Sequence, residues 1–303
     1  MKWTPGGGDS DQIEDRRGEG PASGGGGFGG GGGGFRMPPV HLGLGGTVIV
    51  LVLYFVGRSF FGGGGGAGGG GGSPAPVSGS RSPQGIPADQ DPDRHLVEFV
   101  TFVVGDVQKT WTQNFAAMGK TYEKSHLVLF TQATQTGCGT ASSEVGPFYC
   151  PADKKVYIDL SFYRELVRRF GAPGEFAQAY VIAHEYGHHV QDLLGIEARV
   201  RQAQEEHPQK QNALSVALEL QADCFAGIWA NSTEQRHLLE AGDIDEALGA
   251  AAAVGDDRLQ RQAGRRVNPE SWTHGSAEQR SMWFKRGYQK GNLAACDTFS
   301  SVP

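Results

Sequence analysis

The chain has 303 residues, enough for one or two domains, and a formal net charge of −6. The sequence contains no block of basic residues, so a nucleic-acid partner is not expected. Its 48 glycines distort the average composition, because most of them precede residue 75.

The first segment, residues 1–39, combines scattered charges with glycine runs at 24–27 and 29–34. A segment of this composition cannot bury enough apolar surface to offset the entropy that is lost on ordering. We therefore expect residues 1–39 to form a disordered, glycine-rich tail.

An apolar stretch follows at 40–58, where His41 and Arg58 bracket a run without charge. About 16–20 helical residues span about 24–30 Å, just enough for the hydrocarbon core of a membrane. A signal-peptide core would begin nearer the start of the chain, and a buried helix would have only glycine-rich flanks to pack on. The stretch therefore predicts a single transmembrane helix. The excess of basic residues on its N-terminal side predicts a cytoplasmic N-terminus and an extracytoplasmic domain.

Residues 59–88 form a predicted linker that is glycine-rich at 62–72 and then contains Pro74 and Pro76. The remaining residues, 89–303, are numerous enough to build a hydrophobic core. Helical periodicity at 91–118 and short strand patterns at 127–130 and 156–160 predict an α+β domain, mainly helical, with a small sheet.

All four cysteines lie in this domain, and four cysteines allow three pairings. The favoured pairs are Cys138 with Cys150, which closes a short loop, and Cys224 with Cys296, which ties a predicted helix to the C-terminal region. Disulfides agree with an exported domain, whereas four buried free thiols would suit a cytoplasmic one.

The residues His-Glu-Tyr-Gly-His at 184–188 match the pattern H-E-x-x-H. Helical spacing places His184 and His188 on one face, and neutral imidazoles are good zinc ligands. Glu185 can then reach an activated water without binding the metal. A breaker cluster at 171–174 and Gly195 delimit the predicted helix, 175–194. The alternative is a helix whose histidines are satisfied core residues.

A third ligand is expected from a second helical pattern, at about 208–230. Glu219 is the candidate, and Asp223, one turn later, would orient a ligand histidine through its other ring N–H. Two histidines, one glutamate and a water form a catalytic Zn²⁺ set. The alternative for Glu219 is an ordinary carboxylate on a helix surface.

The stretches 184–191 and 219–227 resemble the bacterial, membrane-anchored neutral zinc metallopeptidases of the H-E-x-x-H…E-x-x-x-D gluzincin type. The resemblance extends over nearly the whole chain, from residues 1–3 to residues 295–299. It implies a zincin-like fold, Zn²⁺ as the cofactor, His184, His188 and Glu219 as metal ligands, and Glu185 as the catalytic base. It does not imply a substrate.

The residues Thr273, His274 and Gly275 are similar to a Thr-His-Pro…Arg element of related membrane-bound gluzincins. That similarity implies that His274 hydrogen-bonds the tetrahedral intermediate and that Arg280 pairs with a buried carboxylate. Gly275 replaces the proline, and the alternative is a histidine in a turn before a helix. By analogy with zincins, the strand at 156–160 is expected to pair with an extended substrate.

Together these features predict a membrane-anchored zinc metalloendopeptidase that cuts a peptide or protein outside the cytoplasm, with Glu185 as general base. The alternative is a zinc-binding or chaperone-like module of the cell envelope with weak or gated hydrolysis. A cytoplasmic quality-control protease would differ only in topology.

Overall fold

The computed structural model describes residues 1–8, 10–19, 85–87, 89–170 and 174–302. These ranges comprise the N-terminal residues and the domain. The predicted membrane span, 40–58, and most of the predicted linker, 59–88, lie outside the described residues.

The described residues are mainly helical, with a small sheet. Their α-helices are α1 Arg94–Ala117, α2 Ser161–Phe170, α3 Glu175–Leu193, α4 Ile196–Glu206, α5 Gln211–Gln235, α6 Asp243–Ala253, α7 Asp256–Gln262 and α8 Ala277–Lys290. The helices predicted at 91–118, 175–194 and 208–230 are confirmed as α1, α3 and α5. Helix α3 ends just before Gly195, whose φ of 67° lies in the left-handed region that glycine tolerates.

The strands are β1 Ile13–Asp15, β2 Leu127–Phe130, β3 Ala133–Thr136, β4 Gly139–Ser142, β5 Phe148–Cys150 and β6 Lys155–Asp159. A four-stranded sheet has the order β1-β2-β6-β5, in which only β5 is antiparallel to its neighbour. Strands β3 and β4 form a separate hairpin. The two predicted strands are confirmed as β2 and β6. The expectation that the strand at 156–160 pairs with an extended substrate is wrong, because β6 lies between β2 and β5 and both of its edges are already paired.

The prediction of disorder over residues 1–39 is wrong for the part that the structure describes. Strand β1 pairs in parallel with β2, and the Trp3 indole donates to Glu175 Oε2 at 2.9 Å. The long glycine runs dominate the composition of 1–39 and conceal a short N-terminal stretch that has apolar and charged anchors of its own.

Helix α5 runs through the core. Its Trp229 is fully buried and donates from Nε1 to Asp106 Oδ2 on α1 at 2.8 Å. Within the described residues, the stretch Pro208–Gln235 has the length and apolar composition of a membrane span, but 83% of its apolar window is buried inside the domain. A core helix meets the same criteria, and this one carries Glu219.

Both predicted disulfides are present. Cys224 on α5 bonds to Cys296, and Cys138 in the β3–β4 turn bonds to Cys150 on β5. The first fastens the core helix to the C-terminal region, and the second fastens the hairpin to the edge strand.

Helices α5 and α8 approach each other closely at two glycines. A Cβ added to Gly287 would lie 1.9 Å from the Cys224 carbonyl oxygen, and one added to Gly227 would lie 2.1 Å from the Phe284 carbonyl oxygen. Backbone atoms cannot move aside as side-chain tips can, so glycine is required at both positions.

We expect Gly287→Ala to lower the free energy of unfolding by about 1–3 kcal/mol, because the added methyl would force the two backbones apart. The matched control is Gly249→Ala on α6, where an added Cβ meets nothing within 4 Å. That change should instead stabilise the protein by roughly 0.5–1 kcal/mol through helix propensity. Denaturant unfolding of both variants measures the difference, and equal effects would contradict the close packing.

Candidate metal centre

Three side chains from α3 and α5 converge at one point. His184 and His188 lie one turn apart on α3, and Glu219 faces them from α5. The two Nε2 atoms are 3.2 Å apart, Glu219 Oε2 is 3.2 Å from His184 Nε2, and Glu219 Oε1 is 3.5 Å from His188 Nε2. All three residues are at most 5% exposed. The predicted ligand residues are therefore brought together.

The spacing of these atoms fits a small tetrahedral cation. Ligand atoms at about 2.0–2.1 Å from a tetrahedral zinc ion are separated from one another by about 3.3–3.4 Å. The two imidazole nitrogens, 3.2 Å apart, are close to that value, and one ligand atom from each of the three residues lies within 4.8 Å of the other two. A set of two imidazole nitrogens and one carboxylate also leaves a fourth position for a water or substrate, which a closed structural site does not.

The outer nitrogen of His184 is held by a buried ionic cluster. Asp223 Oδ1 lies 2.9 Å from His184 Nδ1, as predicted for an orienting carboxylate. Arg280 on α8 binds both Asp223 oxygens, through Nε at 2.8 Å and Nη2 at 2.9 Å, and the Tyr180 hydroxyl donates to the same carboxylate. The expected pairing of Arg280 with a buried carboxylate is confirmed. The cluster holds a proton on His184 Nδ1, so Nε2 is the nitrogen that can bind a metal once it has lost its own proton.

The outer nitrogen of His188 is held by a neutral acceptor. Gln191 Oε1 lies 2.8 Å from His188 Nδ1, and its amide donates to the Leu218 carbonyl at 2.7 Å and to Gln221 Oε1 at 3.1 Å. Gln191 therefore orients the ring of His188 and links α3 to α5. The two histidines have different supports, one ionic and one neutral.

These surroundings set the protonation of the metal-free ligands. Burial lowers the pKa of His188 to about 4, so its imidazole is neutral. Burial also disfavours a charged His184, but the charge of Asp223 and the hydrogen bonds to Asp223 and Glu219 together outweigh it and raise the pKa of His184 to about 9. Burial would raise the pKa of Glu219, but the neighbouring imidazoles outweigh it and lower the pKa to about 2.

Glu185 lies beside the ligands and has a free oxygen. Burial raises its pKa to about 7, with the charge of His184 opposing the shift and that of Glu219 adding to it. Its Oε2 is buried and has no hydrogen-bond partner among the described residues, and its carboxylate receives a hydrogen bond from the Tyr149 backbone on β5. This carboxyl can therefore exchange a proton near neutral pH.

His274 is almost fully buried, and its pose is set by Asp256. The Asp256 carboxylate lies 2.8 Å from His274 Nδ1 and accepts the backbone N–H groups of Thr273, His274 and Gly275. The opposite nitrogen, Nε2, is buried without a partner in the described part of the chain, and the charge of His274 acts on Glu219. Gly275 has a φ of 86°, which proline cannot adopt, so the departure from the Thr-His-Pro element has a conformational cause.

Several residues of the site were not predicted from the sequence. Gln191 lies three residues after His188 on one helix, a spacing that could have identified it. Tyr180 lies four residues before His184 on α3, so the same helical spacing could have identified it. Asp256 reaches the site from α7, and no local pattern connects it to the ligands.

Comparisons with known proteins indicate a zinc metallopeptidase family. A family model described as "Putative neutral zinc metallopeptidase" matches residues 1–299. The uncharacterized protein YpfJ of Escherichia coli K12 is 48% identical over 302 residues, which cover 99% of this chain and 99% of that protein. The uncharacterized proteins Mb2605 of Mycobacterium bovis and Rv2575 of Mycobacterium tuberculosis are each 53% identical over 192 residues, covering 60% of this chain and 64% of theirs. No solved structure matches the chain.

We expect Gln191→Met to weaken zinc binding by about 10–100-fold, because His188 loses the acceptor that orients it while the buried ion pair is left intact. Competition against a zinc chelator measures the affinity. The matched control is Gln202→Met, on the exposed face of α4, which should bind zinc as the parent protein does. Equal affinities for the two variants would contradict the orienting role.

We expect zinc binding at pH 7 to release about one proton, because the metal must displace the proton that His184 holds in the metal-free protein. Zinc affinity should therefore rise with pH between pH 7 and 9 and level off above that range. Calorimetry at pH 7 in two buffers of different ionisation enthalpy counts the protons. Release of none would mean that His184 is neutral before the metal binds.

Proposed function

Because this chain belongs to the neutral zinc metallopeptidase family, we propose that it is a zinc-dependent endopeptidase with His184, His188 and Glu219 as the metal ligands. The observation that carries the proposal is the convergence of these three buried side chains, which bring one ligand atom each to within 4.8 Å of one another, next to the buried Glu185 carboxyl. A catalytic centre needs both the metal set and the base.

When bound, zinc supplies a Lewis acid that activates a water molecule and polarises the scissile carbonyl. Glu185 is the general base that accepts the proton of the attacking water and returns it to the leaving amine. A pKa of about 7 suits both roles, because the group can accept and donate a proton at neutral pH. Asp223 and Gln191 hold the two imidazoles in place during the reaction.

His274 is proposed to donate a hydrogen bond to the oxyanion of the substrate. Its unpartnered Nε2 is the side of the ring that faces away from Asp256, and its charge acts on Glu219. Asp256 serves as a positioning residue, because it fixes the orientation of the His274 ring. Preorganised donors of this kind stabilise charge that develops in the transition state.

The substrate is proposed to bind as an extended peptide along β5. This strand is an edge of the sheet, and the Tyr149 backbone donates a hydrogen bond to the Glu185 carboxylate. An extended peptide on that edge would pair with the main chain and carry its scissile bond past the base. The Cys138–Cys150 disulfide anchors the end of this strand.

The domain is proposed to act on peptides or proteins outside the cytoplasm. Two disulfides support an oxidising compartment. The apolar stretch 40–58 is the proposed membrane anchor.

We expect Glu185→Gln to retain zinc but to lose about 10²–10⁴-fold in peptide hydrolysis, because the amide cannot accept the proton of the water. Metal analysis and a digest of casein or a peptide library give the two readouts. Glu205→Gln, an exposed carboxylate on α4, is the matched control and should cut as the parent protein does.

Full, chelator-sensitive cleavage by Glu185→Gln would show that the base is another group. If the parent protein binds zinc stoichiometrically and cuts nothing in the library, the centre belongs instead to a zinc-binding module of the cell envelope.

A further inference from the structure

The N-terminal segment, residues 10–19, is built into the sheet of the domain. Strand β1 aligns Ile13 with Leu127 and Asp15 with Leu129, in parallel, at one edge of the sheet. The backbone continues this pairing one residue further, where Arg16 N–H donates to the Leu129 carbonyl at 2.7 Å. An edge strand of the main sheet therefore comes from residues before 20.

Side chains lock this strand from both of its flanks. The Arg17 guanidinium bridges Asp15 and Asp91, with shortest contacts of 2.7 and 2.6 Å, and the Arg17 and Asp91 side chains are 3% and 4% exposed. On the other flank, Glu14 pairs with Lys155 of β6 at 2.7 Å. Separating a buried, bidentate pair is costly because it leaves an uncompensated charge inside the protein.

A second set of contacts joins the N-terminal residues to the helical layer. The Gln108 amide on α1 donates to Gln12, and its oxygen accepts the Ser125 N–H at 2.7 Å. Trp3 packs edge-on against Phe99 of α1, with ring centroids 5.4 Å apart. Trp3 also donates to Glu175, the first residue of the helix that carries the two ligand histidines. The N-terminal residues thus touch the sheet, α1 and α3.

The chain leaves this segment and returns to it at the same place. Gly85 lies against Asp15, such that a Cβ added to Gly85 would be 3.0 Å from the Asp15 Cβ. Asp91 reaches Arg17 six residues later. The residues on the two sides of 20–84 are therefore in contact with one another.

This contact conflicts with one crossing of a membrane between the two sides. The predicted span, 40–58, falls inside 20–84, and a bilayer has a hydrocarbon core about 30 Å thick. After a single crossing, Asp15 and Gly85 would stand on opposite faces of that core and could not touch. The predicted topology, with a cytoplasmic N-terminus and an extracytoplasmic domain, is incompatible with the β1–β2 pairing.

We propose that residues 1–19 and 85–302 lie on the same side of the membrane, as one folded unit. Any contact that 40–58 makes with a bilayer is then made from that side. A domain that begins at residue 89 lacks an edge strand of its sheet and the partner of Asp91. The proposal does not depend on zinc or on hydrolysis, and the two disulfides favour the oxidising side for the whole unit.

A cysteine pair tests the contact in the full chain. In the double variant Asp15→Cys, Gly85→Cys, the two Cβ atoms would lie close to the separation of about 3.5–4.5 Å that a disulfide needs. A protease site in the glycine run at 62–72 allows the chain to be cut between them. The four native cysteines are paired with one another and all follow residue 85, so only the new bond can hold the N-terminal fragment.

In intact membranes treated with a mild oxidant and then with the protease, the double variant should run at full length without reductant and as two fragments with it. Each single variant should give two fragments under both conditions. A bond that forms only after the membranes are dissolved in detergent would overturn the proposal, because the bilayer would then have kept the residues apart.

Cysteine labelling is a second test of the topology and leaves Asp15 unchanged. Ser10→Cys and Glu205→Cys replace exposed residues of the N-terminal segment and the domain. A membrane-impermeant maleimide should reach both from the same side of intact spheroplasts, and neither from the other. Labelling of one from outside and of the other only after the membrane is opened would sink the proposal, whatever the activity of the protein.

Discussion

The structure depends on one buried carboxylate, that of Asp223. It lies in the core of the domain with no exposure to solvent, where an unpaired charge would be very costly. Arg280 neutralises it with two hydrogen bonds, Tyr180 donates to it, and the imidazole of His184 completes its partners. Those four residues come from α3, α5 and α8. The interactions that neutralise this one carboxylate therefore connect the three helices that form the centre.

Buried groups that lie next to one another in the centre have pKa values that are shifted in opposite directions. His188, next to a neutral amide, loses affinity for a proton, while His184, next to Asp223, gains it. Glu185 and Glu219 are both buried carboxyls on facing helices, yet the pKa of the first is raised and that of the second is lowered. Glu219 lies within 3.5 Å of both imidazoles, which lower its pKa, whereas burial dominates at Glu185. The surroundings of each carboxyl, more than its residue type, therefore make Glu219 suited to bind a metal and Glu185 suited to act as a base.

The centre was largely predictable because its chemistry depends on helical spacing. His184 with His188, and Glu219 with Asp223, are pairs four residues apart, and each helix has clear boundaries such as Gly195. The cysteine pairs were also predicted correctly, since each follows from loop length and position. The arrangement of the elements relative to one another was not predictable. Strand order depends on long-range pairing, so the local pattern at 156–160 indicated a strand but not its neighbours. Strand β5 has three residues, too few for a periodic signal.

The N-terminal segment shows a different limit. Its three-residue strand and the preceding Trp3 are stabilised by partners more than eighty residues away, such as Glu175 and Leu127. The average composition of residues 1–39 is dominated by the glycine runs and therefore hides Trp3 and the short strand. The N-terminal segment is ordered because it packs on the surface of the folded domain, and the sequence of the segment alone does not reveal those contacts.

The glycine crossing of α5 and α8 has a consequence for how this family can vary. Gly227 stands one turn after Asp223, and Gly287 stands two turns after Arg280, so the crossing and the ion pair share the same helix faces. One residue inserted or deleted between Asp223 and Gly227, or between Arg280 and Gly287, would rotate the glycine away from the ion-pair face of that helix by about 100°. Length changes should therefore be absent from 223–227 and 280–287 among relatives, even where side chains differ freely and loops have grown or shrunk.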